Sequence, residues 1–345
     1  MNIEVYSPTI RRKEMDAVLT AMVEDKIGPG DQSQRLVQTA KEYLQYDYSL
    51  AVRSPAIALY LALKSMGIAD GSGVLISALS PRYYTWVIEG LRLVPLYCDV
   101  ESGSACISAK TVQAAIARKD AGMEPRCLVI HHALGYVPDT VSLAELGIPI
   151  IEDCSRSYGT ASEGSPLPSA GVFTILGLEE RDMLTAGGGA LLYAANRRDG
   201  SVLRNYGDIP PEYSLPDMNA ALAVIQFKES RRNLEKRKDI AEVYIQSSLR
   251  TRHKRFIETD GIGYNNYAFP LILETGMKDV VAYAKKKEVS VENAFGDTLV
   301  GSGAIPPEQC PEAYSLSLRT ALFPLYPRLA SSQTAKVAKL IAALP

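Results

Sequence analysis

The sequence predicts an α/β protein: a large domain with a mostly parallel mixed sheet between helices, followed by a small C-terminal α/β domain. Three observations carry this. From Leu50 to Tyr193, short apolar runs of strand length alternate with segments of helical spacing, and that alternation belongs to parallel sheets wrapped by helices. One long helical pattern then runs from Leu215 to about Leu249. Beyond it, strand and helix alternate again on a smaller scale, so we expect domains over 1–225 and 226–345 joined through the long helix. A chain of 345 residues and 37.5 kDa has room for both.

Residues 11–24 and 33–46 carry helical spacing on either side of the Gly28-Pro29-Gly30 turn. Leu50-Ala51-Val52 is a brief strand. A sharp helix start follows, because Ser54 suits the N-cap and Pro55 the first helical position. Ala58, Leu59, Leu61, Ala62 and Leu63 continue that helix, buried, to Gly67. The next strands are Val74 to Ile76, Val94 to Val100, Cys127 to His131 and Ile148 to Ile151. Helices open at Thr85-Trp86-Val87-Ile88 and span Thr111 to Lys119. Val172 to Leu176 and Ala190 to Tyr193 form a strand pair around Gly187-Gly188-Gly189. Ser214 and Asp217 supply an S-x-x-D capping box for the long helix. Its charged run from Lys228 to Asp239 reads as a solvated face. In the second domain, Tyr267 to Leu273 and Val281 to Lys287 are the clearest elements.

A formal net charge of -2 points away from nucleic acid and anionic membranes, and no apolar run approaches membrane-spanning length. Met1 to Thr9 is too polar for a signal sequence. The five cysteines are odd in number and lack CxxC spacing, which fits a reduced, cytoplasmic protein. His131, His132 and His253 make no zinc pattern with them, so no metal is expected.

Ile148 to Gly159 is the stretch that points to chemistry. A short buried strand delivers Glu152 and Asp153 to its carboxyl end, the edge at which open α/β sheets bind ligands. Taken alone, Asp153 also suits a plain cap of the following turn.

Several segments, in order, resemble the DegT/DnrJ/EryC1/StrS family, the sugar aminotransferase branch of the pyridoxal-phosphate fold-type I enzymes. Ser7-Pro8-Thr9 and Gly28-Pro29-Gly30 look like its opening helix and turn, and Arg53-Ser54-Pro55-Ala56 sits at its phosphate loop. Tyr84-Thr85-Trp86 matches the segment whose aromatic residue stacks on the cofactor ring. His131 through Asp139 and Glu152-Asp153 with Tyr158-Gly159 resemble two further family stretches. Asn219-Ala220-Ala221 through Gln226 and Arg237, Cys310 to Ala313, and Phe323 to Pro327 complete the likeness. The resemblance implies pyridoxal or pyridoxamine phosphate as cofactor, with Asp153 paired to the ring nitrogen. It makes Trp86, Ser54, Ala56, Arg156 and Thr174 the other cofactor-site positions. It also implies a nucleotide-sugar or other small-molecule ligand and a homodimer.

The pattern breaks at the chemistry. The family carries a Schiff-base lysine before its Gly-Gly turn, whereas Gly177 to Gly189 here contains none, and the matching position falls on Arg181 or Asp182. Arginine stays protonated and forms no imine. Pro55 and Ala56 remove donors from the phosphate loop, and Glu212 is acidic where the phosphate would sit. Two readings follow. In one, the protein binds its ligand or pairs with an active paralogue without normal transaminase activity. In the other, it is an active aminotransferase or dehydratase-like enzyme of nucleotide-sugar and polysaccharide biosynthesis. That enzyme would hold its cofactor non-covalently, with His131 or His132 as base.

Overall fold

The structure, a computed structural model, describes residues 2–118, 123–160, 170–206 and 209–345. In chain order the elements are helices α1 (Arg12–Val23) and α2 (Asp31–Leu44), then β1 (Ser49–Val52), α3 (Pro55–Ser65), β2 (Gly73–Ser77) and α4 (Tyr83–Gly90). Next come β3 (Val94–Cys98), α5 (Ala109–Ala117), β4 (Pro125–His131), α6 (Thr140–Ala144), β5 (Ile150–Asp153), β6 (Phe173–Gly177) and β7 (Ala190–Ala194). The remainder is α7 (Arg197–Arg204), α8 (Asp217–Ser248), β8 (Phe269–Ile272), α9 (Met277–Lys286), β9 (Glu292–Asn293), α10 (Pro311–Arg319), β10 (Thr320–Phe323) and α11 (Ser331–Ala342). The expected helix end at Lys119 lies outside the described residues.

Seven strands form one sheet in the order β1-β7-β6-β5-β4-β2-β3. All neighbours run parallel from β3 across to β6, and β7 alone runs against them. The sheet is thus mixed but mostly parallel. A three-stranded antiparallel sheet, β8-β10-β9, marks the smaller unit. The helix start after β1 forms as its residues dictate: Ser54 Oγ accepts the Ile57 amide at 3.3 Å and Pro55 takes the first position.

The S-x-x-D capping box does not form. Pro216 is the residue before the first turn of α8, and Ser214 Oγ is turned to the Pro210 carbonyl. Asp217 instead crosses to α2, where its carboxylate accepts the Ser33 amide at 3.2 Å. It lies so close to Gly30 that a Cβ there would come within 2.7 Å of Asp217 Oδ2. The acid caps a neighbouring helix, which sequence spacing along one helix does not reveal.

Helix α8 passes through the expected boundary at 225/226 without a break. Its first part, with Ala220, Ala223, Val224 and Phe227, packs beneath the large sheet. Its second, with Ile240, Ala241 and Tyr244, packs into the smaller core with Phe269, Leu271 and Phe323. Ile3 joins that smaller core and bridges to Val289, so the chain's first residues pack with its last hundred. Most of the charged run of α8 is exposed as expected, but Ser230, Asn233 and Arg237 within it are buried. Arg237 donates to the Tyr267 and Leu325 carbonyls at 2.7 and 3.1 Å, and burial lowers its pKa to about 10.

Arg237 thus ties α8 to the segment that enters β8 and to the chain after β10. Truncating it strands two buried carbonyls, so Arg237→Ala should cost about 2–4 kcal/mol. Lys236→Ala, on the exposed face, should change stability by less than about 0.5 kcal/mol. Urea denaturation of both variants makes the comparison.

Candidate active site

Strands β4 and β5 end side by side, with His131 opposite Asp153 in the register. Both side chains are buried. The Asp153 carboxylate is held on both oxygens. Oδ1 accepts the Ser155 amide at 3.0 Å and the Ser155 hydroxyl, and Oδ2 accepts the Tyr84 hydroxyl at 2.6 Å. The Tyr83 hydroxyl and His131 Nδ1 stand farther from Oδ2, each at 3.4 Å. Burial pushes the Asp153 carboxyl up, but these hydrogen bonds outweigh it and hold the group below the usual carboxylate range. Burial lowers His131 below the usual imidazole range, against the pull of Asp153. The pair is therefore a carboxylate beside a neutral imidazole.

The loop after β5 brings the remaining groups. Ser155 Oγ also accepts the Gly177 amide at 2.7 Å, tying the ends of β5 and β6. Asp182 packs against Gly177, where an added Cβ would strike its carboxylate and the Ser155 hydroxyl. Burial raises the Asp182 carboxyl to about 7, with the Asp153 charge adding to the rise and Arg156 opposing it. The Arg156 guanidinium lies 5.6 Å from the Tyr267 ring centre. Asn265 sets that pairing, donating to the Arg156 and Tyr158 carbonyls at 2.7 and 2.9 Å and accepting the Tyr267 amide at 2.9 Å. Gly135, at φ +83°, lets the turn after β4 close on the same loop, since a Cβ there would lie 2.9 Å from the Arg156 carbonyl.

Of the expected site residues, Asp153, His131, Arg156 and Asp182 come together. Trp86 does not join them: it is 74% exposed, while its helix neighbour Tyr84 is fully buried against Asp153. Two positions along a helix turn a side chain by about 200°, so the aromatic group at the site is the tyrosine pair. Thr174 falls on the other face of the sheet from Asp153, because it pairs with Glu152 and side chains alternate along a strand. Arg181 is exposed, paired to Glu292 at 2.8 Å.

Ser54 is committed to its helix cap. Around it, the Arg53 amide goes to the Tyr213 carbonyl at 2.8 Å and the Ala58 amide to the Ser54 carbonyl at 3.1 Å. Pro55 has no N–H and Ala56 no polar side-chain atom, so the helix start retains few donors for an anion.

Beyond the sheet from Asp153, His132 Nδ1 lies 2.6 Å from Ser157 Oγ and its Nε2 lies 3.0 Å from Glu152 Oε1. With Cys154 these offer three metal-type ligand atoms within 4.8 Å of one another. Nδ1 of the imidazole is taken by Ser157, its Nε2 approaches Glu152 without hydrogen-bond geometry, and burial holds the Cys154 thiol well above its usual range. Sequence reasoning missed Tyr83, Tyr84 and Ser155. Ser155 was within reach, since a serine two residues after a buried aspartate is a common partner for it.

Comparison with known proteins agrees with this architecture. An L-glutamine:2-deoxy-scyllo-inosose aminotransferase from Streptomyces lividus is 29% identical over 205 residues, 54% of this chain and 46% of that protein. The chain thus matches under half the length of that relative. A GDP-perosamine synthase from Vibrio cholerae is 22% identical over 293 residues, 79% of this chain and 78% of that protein. A protein described as a sugar aminotransferase from Streptococcus pneumoniae, solved in its PLP form, superposes with a TM-score of 0.87. It does so at 17% identity, covering 99% of this chain and 97% of that one, a likeness of fold alone. The model of the DegT/DnrJ/EryC1/StrS aminotransferase family matches residues 8–342, and the chain belongs to that family.

Proposed function

We propose that this protein serves nucleotide-sugar or polysaccharide biosynthesis without the imine chemistry of a transaminase. It would bind a nucleotide sugar or related small molecule in the cytoplasm, as a homodimer or paired with an active relative. The observation that carries this is the environment of Asp182, which with Arg181 is one of the two positions that the resemblance places at the family's lysine. A lysine there would face the cofactor. Here a carboxyl group occupies the space, packed on Gly177 and hydrogen-bonded to the Glu179 amide at 2.8 Å.

Pyridoxal phosphate and pyridoxamine phosphate are bound by the Streptococcus pneumoniae protein in its PLP and PMP forms, and such a cofactor supplies an electron sink when present. The residues of this chain do not fit it as a covalent partner. No lysine lies between Lys119 and Lys228, and Lys228 is exposed on α8. The acid for a ring nitrogen, Asp153, has both oxygens engaged by Ser155 and Tyr84. A ring nitrogen would have to share Oδ2 with the buried Tyr84 hydroxyl. Any such cofactor is therefore held non-covalently, if it binds at all.

The active reading, with a non-covalent cofactor and a histidine base, draws on His131. Its low pKa leaves it free to accept a proton, and its place beside Asp153 is suitable. His132 lies on the other face of the sheet from Asp153, with its Nδ1 bonded to Ser157. We prefer the first reading because the two residues at the lysine position are engaged elsewhere, Asp182 by the Glu179 amide and Arg181 by Glu292.

Two experiments follow. Borohydride reduction with added pyridoxal phosphate, followed by peptide mass mapping, should give no stoichiometric lysine adduct, and dialysis should remove any cofactor absorbance. A single modified lysine together with amino transfer to a keto-sugar nucleotide would defeat the proposal.

The second measures Asp182 by its pH dependence. Its folded pKa lies above the unfolded value, so its contribution to stability is fully present at pH 3 and is lost as pH rises through about 7. Asp182→Asn should leave stability nearly unchanged at pH 4 and raise it by about 1–3 kcal/mol at pH 8. Equal effects at both pH values, in urea titrations, would mean that the carboxyl group is ionised in the fold without penalty.

A further inference from the structure

Among the described residues, no ion pair answers the charge of Arg156. Its side chain is largely withdrawn from solvent, yet among the described residues its guanidinium makes no hydrogen bond and no ion pair. Its direct contact is the Tyr267 ring, with the guanidinium carbon 5.6 Å from the ring centre. A cation over a ring uses the plane of the guanidinium and leaves its N–H edge, with five donors, unspent. Leaving such donors unpaired away from water is costly.

Arg156 lines a cavity of about 170 Å³ that also takes in residues of β9 and β10. His131, Arg156, Arg181, Tyr267, Glu292 and Asp297 are among its lining residues. The charges sort by depth. Arg181 and Glu292 neutralise each other at 2.8 Å, and Asp297 is exposed, where water and salt screen it. His131 is neutral. Asp153 and Asp182 stand near Arg156 in the adjoining site and temper its charge, but both are committed to protein donors, Asp153 to Ser155 and Tyr84, Asp182 to the Glu179 amide. Arg156 is thus the cation that the cavity presents to a ligand.

The volume narrows the ligand. It falls below the about 300–1,000 Å³ of sites for drug-sized molecules. We propose that Arg156 anchors a site for a small anion, a carboxylate or phosphate group, in this cavity. This deepens the reading above and rests on it in one respect only: no ring cofactor permanently fills the space.

The test titrates inorganic phosphate and, separately, pyruvate into the full-length protein at constant ionic strength, read by calorimetry and thermal shift. Saturable binding of at least one probe is expected. Arg156→Gln should weaken it at least about tenfold, the loss of a charge-assisted, bidentate contact. Arg156→Lys, which keeps the charge but not the fork, should fall between. Arg181→Gln should change affinity less than about threefold, because that cation is exposed and already paired. Phosphate binding without pyruvate would assign the site to a phosphoryl group, and the reverse to a carboxylate.

If Arg156→Gln loses its near-ultraviolet dichroism, Arg156→Lys carries the comparison. The proposal is overturned if neither probe saturates below about 50 mM, or if the Arg156 variants bind like the wild type. A borohydride adduct on lysine would sink the non-covalent reading and leave the Arg156 dependence standing on its own data. Loss of anion binding with no adduct would do the reverse.

Discussion

A carboxylate buried at the end of a sheet must be surrounded by donors or give up its charge, and the organisation of this site follows from how Asp153 meets that demand. Ser155 supplies two donors from the turn directly after the strand, and Tyr84 supplies a third from a helix on the far side of the cleft. Each donor has a structural consequence. Ser155 goes on to hold the end of β6 through the Gly177 amide, which brings the Asp182 loop against the same group. Tyr84 fixes the first turn of α4. The acid is therefore a structural node that ties the ends of β5 and β6 to α4.

The second constraint links the two units. Arg237 on α8 and Asn265 in the following segment both spend their donors on backbone carbonyls near the site. Between them they fix Tyr267, whose hydroxyl reaches the Arg181 carbonyl at 2.6 Å and whose ring faces Arg156. Movement of the smaller unit would disturb Tyr267 first, and with it the cation and the cavity. Coupling between the units thus runs through hydrogen bonds to backbone, which tolerate little displacement.

Membership of an aminotransferase family rests on the family model that matches residues 8–342, and the fold itself on the sheet, the capped helix after β1 and the long helix that spans both cores. None of these depends on the side chains at the carboxyl edge of the sheet. A fold is held by its buried apolar faces, while chemistry resides in a few residues placed on it. The apolar strands here form one continuous sheet, while buried polar groups gather at its carboxyl edge, at His131, Glu152 and Asp153. That separation lets a chain keep its architecture while the charge pattern of its site is rewritten.

The sequence by itself determined the elements and the acid at their centre. Apolar runs and helical spacing depend only on local periodicity, so the strands up to β7, the Ser54 cap and the delivery of Asp153 to a sheet edge were legible. The order of motifs also carried the family. What only the tertiary structure decided was which side chains meet. Trp86 and Tyr84 are two residues apart, and helix phase, invisible without the packing of α4, chose the tyrosine. Thr174 lost its place beside Asp153 to strand register, since one step along a strand changes the face. Asp217 looked like the cap of its own helix and became the cap of another. Arg237 read as one more charge on a solvated helix and proved to be a buried tie. In each case the deciding quantity is a distance between residues far apart in the chain, which no local pattern encodes.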